Sequence, residues 1–96
     1  LEYYSNKNIE KNSYFSVNDK KVTLNKKFFF QPNEIILRSL TKLIQKIGNK
    51  YYPPRGKSAC NLIDQLKIRS NVKNMTLGGC LFKKVNETII ISQERG

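Results

Sequence analysis

Apolar residues recur with helical spacing in two stretches of the chain. In the first, Ile36, Leu40, Leu43, Ile44 and Ile47 follow the 3.6-residue period and fall within an arc of about 100°, the width of a core-facing stripe. Pro32 stands at its head, where a first-turn proline forfeits no intrahelical hydrogen bond, and Gly48 is placed to stop the helix. In the second, Ser58 is a candidate N-cap for a helix with Ala59, Leu62, Ile63 and Leu66 on one apolar face, ending near Ile68.

Other segments carry a strand-like pattern. Tyr14-Phe15-Ser16-Val17 and Val22-Thr23-Leu24 flank Asn18-Asp19-Lys20-Lys21, which predicts an N-terminal hairpin. Thr76 to Phe82 reads as a strand running on through Lys83-Lys84, turning near Val85-Asn86-Glu87 and returning as Thr88-Ile89-Ile90-Ile91-Ser92, a C-terminal hairpin. Gly78-Gly79 lies inside that first strand, where glycine marks a bulge or the close approach of another backbone. Phe28-Phe29-Phe30 is too short to show whether it extends a strand or docks on the core. Residues 1–12 carry no sustained period and read as a linker or frayed lead-in, leaving 13–96 as the folded unit. The expectation is an α+β fold: a small single domain with two main helices, a C-terminal β-hairpin and an N-terminal hairpin. The alternative is an all-α bundle decorated by loops.

Length and composition narrow the chemistry. Ninety-six residues make one domain, and 39% hydrophobic with 26% charged residues is an ordinary globular balance. No apolar run approaches the ~20 residues that cross a bilayer, so no membrane partner is expected. Histidine is absent, which removes Ser-His-Asp and Cys-His catalysis and the commonest metal ligand. Cys60 and Cys80 are too few and too far apart for a zinc ribbon and read as two small buried hydrophobes of a reduced protein. With no Gly-rich phosphate loop, nothing amounts to a complete active site, and no metal or cofactor is expected on this chain. A start at Leu1-Glu2-Tyr3-Tyr4 without methionine reads as a piece of a longer protein.

Charge changes the picture most. Eighteen Lys and Arg against seven Asp and Glu give +11, which favours an anionic partner. Codon bias in an AT-rich genome competes as an explanation, because the chain is also crowded with Asn and Ile. Placement favours a surface: Arg38, Lys42 and Lys46 line up opposite the apolar stripe of the first helix, Lys50 follows, and no carboxylate follows Glu34 within the helix to pair with them. Tyr51-Tyr52-Pro53-Pro54-Arg55-Gly56-Lys57 joins rigid aromatics to cations in a stiff connector, a combination suited to base stacking and phosphate contact. The competing reading is a rigid turn whose tyrosines cap the core.

Arg38-x-Leu40, Ile47-Gly48, Tyr52-Pro53-Pro54-Arg55, the short helix after it, and Thr76-Leu77-Gly78-Gly79-Cys80 with a closing hairpin near Glu94 resemble, in that order, the region behind the catalytic domain of bacterial tRNA(Ile)-lysidine synthetases, most like those of alphaproteobacterial type. The resemblance spans roughly Pro32 to Glu94. It implies a parent ligase that attaches lysine to the wobble cytidine of the CAU anticodon of tRNA(Ile), with ATP (and Mg) and L-lysine as its substrates, in the cytoplasm. The family's Ser-Gly-Gly-x-Asp-Ser signature belongs to an N-terminal PP-loop domain and is missing here, so the resemblance implies no catalytic residue on this chain. It implies a tRNA-holding role, for which charge and position nominate Arg38, Lys42, Lys46, Lys50, Tyr52, Arg55 and Lys57. The implied partners are tRNA(Ile), the enzyme's own PP-loop domain and, as an alternative, a second copy of the chain. The competing classes are a stand-alone basic nucleic-acid-binding module and a structural domain whose charge is codon bias.

Overall fold

Five short strands build a single antiparallel sheet, and every buried strand residue joins the same core as the helices. In the computed structural model, which describes residues 2–16, 20–50 and 52–94, the elements run α1 (Glu2–Asn12), β1 (Ser13–Ser16), β2 (Lys21–Leu24), a 3-10 turn (Lys26–Phe30), α2 (Asn33–Gly48), α3 (Gly56–Ile68), β3 (Val72–Leu77), β4 (Cys80–Val85) and β5 (Thr88–Gln93). The strand order is β1-β2-β5-β4-β3. Val22, Leu24, Phe82, Ile89 and Ile91 point to the helices, and Thr23, Lys83 and Ile90 stand one residue out of phase on the other face. The N-terminal hairpin therefore does not stand alone: β2 pairs with β5, so the first and last strands share one sheet.

The apolar stripe of α2 is the centre of the core. Ile36, Leu40, Leu43, Ile44 and Ile47 are all buried, as are Ala59, Leu62, Ile63 and Leu66 of α3. The α+β expectation holds, and the five-stranded sheet excludes an all-α bundle.

Several details differ from the sequence reading. Glu2–Asn12 is a helix rather than a linker or frayed lead-in. Its buried face is Ser5, Asn8 and Asn12, spaced as a helical stripe but polar, so hydrophobic periodicity does not reveal it. Asn8 donates through Nδ2 to the Phe28 carbonyl and to Ser39 Oγ, both at 3.2 Å, and accepts from Asn12 Nδ2 at 2.9 Å. Thr76 to Phe82 is two strands. Gly78 and Gly79 have φ of +61° and +81° and form the two-residue loop between Leu77 and Cys80, as a type I′ hairpin demands. The first of the two strands, β3, begins at Val72, ahead of the predicted start at Thr76. Ser58 sits within the first turn of α3, which Arg55 precedes without a side-chain cap. Gly48 is the last residue of α2, and the left-handed residue that ends the helix is Asn49, with φ 55°. Phe28-Phe29-Phe30 is a 3-10 turn that buries Phe28 and leaves Phe30 exposed. The predicted turn residues Asn18 and Asp19, with Val17, lie outside the described residues.

Candidate nucleic-acid interface

The cation row on α2 has α1 over part of it. Lys42 Nζ donates to Glu2 Oε2 at 2.6 Å, to Asn6 Oδ1 at 2.9 Å and to Ser5 Oγ at 3.2 Å, and its side chain is 31% exposed. Arg38 Nη1 lies 3.7 Å from Glu2 Oε1. The hydrogen bond from Lys42, then its charge, hold the Glu2 carboxyl below its ordinary 4.5, with Arg38 adding to the effect. Lys46 Nζ sits 4.7 Å from the centre of the Phe15 ring on β1, within cation–π range. These three residues thus meet intramolecular partners. The carboxylate that pairs two of them comes from a segment that carries no apolar period, which is why spacing on α2 alone did not expose it.

The remaining nominated residues gather around the ends of α2 and α3. Lys50, Tyr52, Arg55 and Lys57 are exposed, while Tyr51 lies outside the described residues. The two most distinctive sequence motifs meet here. A Cβ on Gly48 would stand 2.1 Å from the Gly78 carbonyl oxygen, and one on Gly78 would stand 2.6 Å from Ile44 Cγ2 with Pro54 Cβ at 3.9 Å. The Gly-Gly turn therefore packs on the end of α2, with Pro54 of the connector beside it. Lys50 lies alongside, its Cε 3.2 Å from where a Gly79 Cβ would be. Glu94 N donates to the Gly79 carbonyl at 2.8 Å, tying the end of β5 to the turn.

Beyond the connector, α3 begins with no acidic residue in its first turn and no capping side chain. The space that a Gly56 Cβ would enter is open. Free N–H groups and the positive end of the helix dipole attract anions there, and Arg55 and Lys57 flank that end.

Neither cysteine adds chemistry to this surface. Cys60 is exposed, contrary to the expectation of two buried thiols, because it falls outside the apolar stripe of α3; both thiols are free. Cys80 is buried, donates toward the Ile44 carbonyl at 3.3 Å, and is pushed by burial up to about 11, so it stays protonated at neutral pH. Among the described residues no group of three His, Cys, Asp or Glu side chains is placed to hold a metal ion, and no helix is long and apolar enough to cross a membrane.

A further set of cations went unread in the sequence. Lys26, Lys67 and Lys84 come from three separate elements and line a single groove. The three are remote from one another along the chain, and the pairing of β5 with both β2 and β4 brings the segments of Lys26 and Lys84 together.

Comparison with known proteins gives a consistent picture. The chain is 36% identical over 67 residues to the tRNA(Ile)-lysidine synthase of Wolbachia pipientis wMel and, to the same extent, to that of Wolbachia sp. subsp. Brugia malayi (strain TRS). Each match takes in 70% of this chain and 16% of the relative. The resemblance read from the Tyr-Pro-Pro-Arg and Thr-Leu-Gly-Gly-Cys motifs is borne out. No protein-family model matches the chain. No solved structure matches it either.

Proposed function

We propose that this chain is a tRNA-holding domain of a tRNA(Ile)-lysidine synthase, the ligase that joins lysine to the wobble cytidine of the CAU anticodon at the expense of ATP. The observation that carries the reading is the 36% identity to two such enzymes across most of the chain. Adenylation of the base and attack by lysine belong to a PP-loop domain of the parent enzyme. The family's Ser-Gly-Gly-x-Asp-Ser signature, which goes with ATP and Mg on that domain, is missing from this sequence.

What remains for this domain is positioning. Phosphate contacts fix register and orientation and raise affinity without reading sequence. Lys50, Tyr52, Arg55 and Lys57 carry that chemistry in and beside the exposed connector between α2 and α3, where the uncapped start of α3 adds backbone N–H donors. Arg38 and Lys42 hold α1 in place through Glu2; the three donors of Lys42 are taken by Glu2, Ser5 and Asn6, so of the two only the Arg38 guanidinium keeps donors for the interface.

The test is the enzyme that contains this chain, assayed with unmodified tRNA(Ile) transcript and nucleoside mass spectrometry for lysidine. Arg55→Gln with Lys57→Gln should raise KM for tRNA while leaving kcat nearly unchanged, the signature of lost uniform binding. The salt slope of binding should flatten by about 1.4 to 1.8 for two phosphate contacts. An unchanged KM and slope would remove the connector from the interface. Absence of lysidine in the product would refute the ligase assignment itself.

A further inference from the structure

The groove lined by Lys26, Phe29, Phe30, Lys67, Lys84 and Glu87 lies away from the connector. Lys67 Nζ donates to Asn33 Oδ1 at 3.3 Å, at the first turn of α2, whereas the connector follows its last, roughly 22 Å along the axis at 1.5 Å per residue. The groove holds about 260 Å³, just under the ~300–1,000 Å³ of small-molecule clefts, which suits one planar ring system.

Its chemistry is unbalanced. Three ammonium groups face a single carboxylate, that of Glu87, which stands 3.5 Å from Lys26 with both side chains largely exposed. An exposed pair of that kind is weak and exchanges readily for a phosphate. Among the described residues Lys67 meets the neutral Asn33 amide, and Lys84 donates to the Leu66 carbonyl in the last turn of α3. Each ammonium has three donors, so these bonds leave others to spare. In the adjoining hollow Arg69 joins Lys67 and Lys84, prolonging the line of cations. Phe30 is 71% exposed although Phe28, two residues earlier, is fully buried. The 3-10 turn thus turns one aromatic ring out beside the cations.

We propose that this groove is a second RNA contact, which takes one unpaired nucleotide with its base stacked on Phe30 and its flanking phosphates held by Lys26, Lys67 and Lys84. The inference rests on the tRNA-holding reading and adds to it a stacking site that the resemblance to lysidine synthases does not supply. An exposed ring amid uncompensated cations matches the combination by which single-stranded nucleic acid is held without sequence readout. It also explains why the exposed ring stands on a turn made rigid by two other buried or half-buried aromatics, since a preorganised platform loses less freedom on binding.

The experiment uses the enzyme that contains this chain and unmodified tRNA(Ile) transcript, with affinity measured over a series of KCl concentrations. Phe30→Trp should retain affinity, whereas Phe30→Ala and Phe30→Leu should each weaken it by roughly 5- to 150-fold, the range for loss of one base stack. Lys26→Gln with Lys67→Gln should flatten the salt slope by about 1.4. If Phe30→Leu binds like the unaltered enzyme, the ring serves as a merely apolar contact, as a protein partner would use it, and the proposal is overturned. If the groove variants are silent while Arg55→Gln with Lys57→Gln weakens binding, the groove is refuted and the tRNA-holding reading stands. If both sets are silent, both fall.

Discussion

Gly48 and Gly78 meet backbone to backbone, with 2.1 Å between a would-be Gly48 Cβ and the Gly78 oxygen. Neither partner is a flexible side chain that could swing aside. Gly48→Ala should therefore destabilise the fold by at least the ~1–3 kcal/mol typical of overpacking. Gly78→Ala adds a left-handed φ of +61° to a 2.6 Å approach on Ile44, and αL backbone alone costs roughly 1–2 kcal/mol for a residue with a Cβ. Gly56→Ala is the control: nothing lies within 4 Å of the added atom, so stability should hold or rise by up to ~1 kcal/mol. Urea unfolding midpoints separate the three. The need for glycine at 78 and 79 was legible in the sequence, but a glycine pair amid β-prone residues fits a bulge and a turn equally well. Only the register of Leu77 against Cys80 decides it. Gly48 likewise reads as a helix stop, while its reason lies thirty residues away in the chain.

α1 shows how an element escapes a reading based on periodicity. Its buried positions follow helical spacing, yet they are Ser5, Asn8 and Asn12, and a polar residue signals burial only when its hydrogen-bond partners are known. Those partners include Phe28, Ser39 and Lys42, all of them far from α1 in sequence. α2, α3 and the strands were legible because their buried faces are apolar. Asn8→Ala should cost about 1–3 kcal/mol, since it leaves the Phe28 carbonyl and Ser39 hydroxyl short of a partner in the interior, as read from thermal unfolding. The Glu2 carboxyl supplies a second probe of the same docking. Its pKa is lowered from 4.5 in the folded protein, so its contribution is present above pH 4.5 and is lost as pH falls through the lowered value. A carbon-13 titration should place the Glu2 midpoint below 4.5 and return it toward 4.5 in Lys42→Met.

At the scale of the whole molecule, the charge that composition announces acquires a location. Of the seven carboxylates in the chain, Glu2 is engaged by Arg38 and Lys42 and Glu87 by Lys26, so the surplus of cations is spread over the remaining surface. The sequence supplies the sum but not the distribution, because cations that adjoin in space, such as Lys26, Lys67 and Lys84, are remote along the chain. The principal extents are 33 × 31 × 28 Å, about one Debye length at 10 mM salt and about three at 0.1 M. At the lower salt nearly every charge interacts with every other, and net repulsion acts on a body of 11.9 Å radius of gyration far more than on an unfolded chain of ~30 Å. At the higher salt only neighbours interact, and the few attractive pairs, being mostly exposed, have little stabilisation to lose. Raising salt from about 10 mM to about 0.1 M should therefore raise Tm, by ~4–8 °C for each kcal/mol of repulsion relieved. Calorimetry at a series of NaCl concentrations checks this. A flat or falling Tm would mean that the cations are locally compensated, and a surface so compensated would have little reason to gain from phosphates.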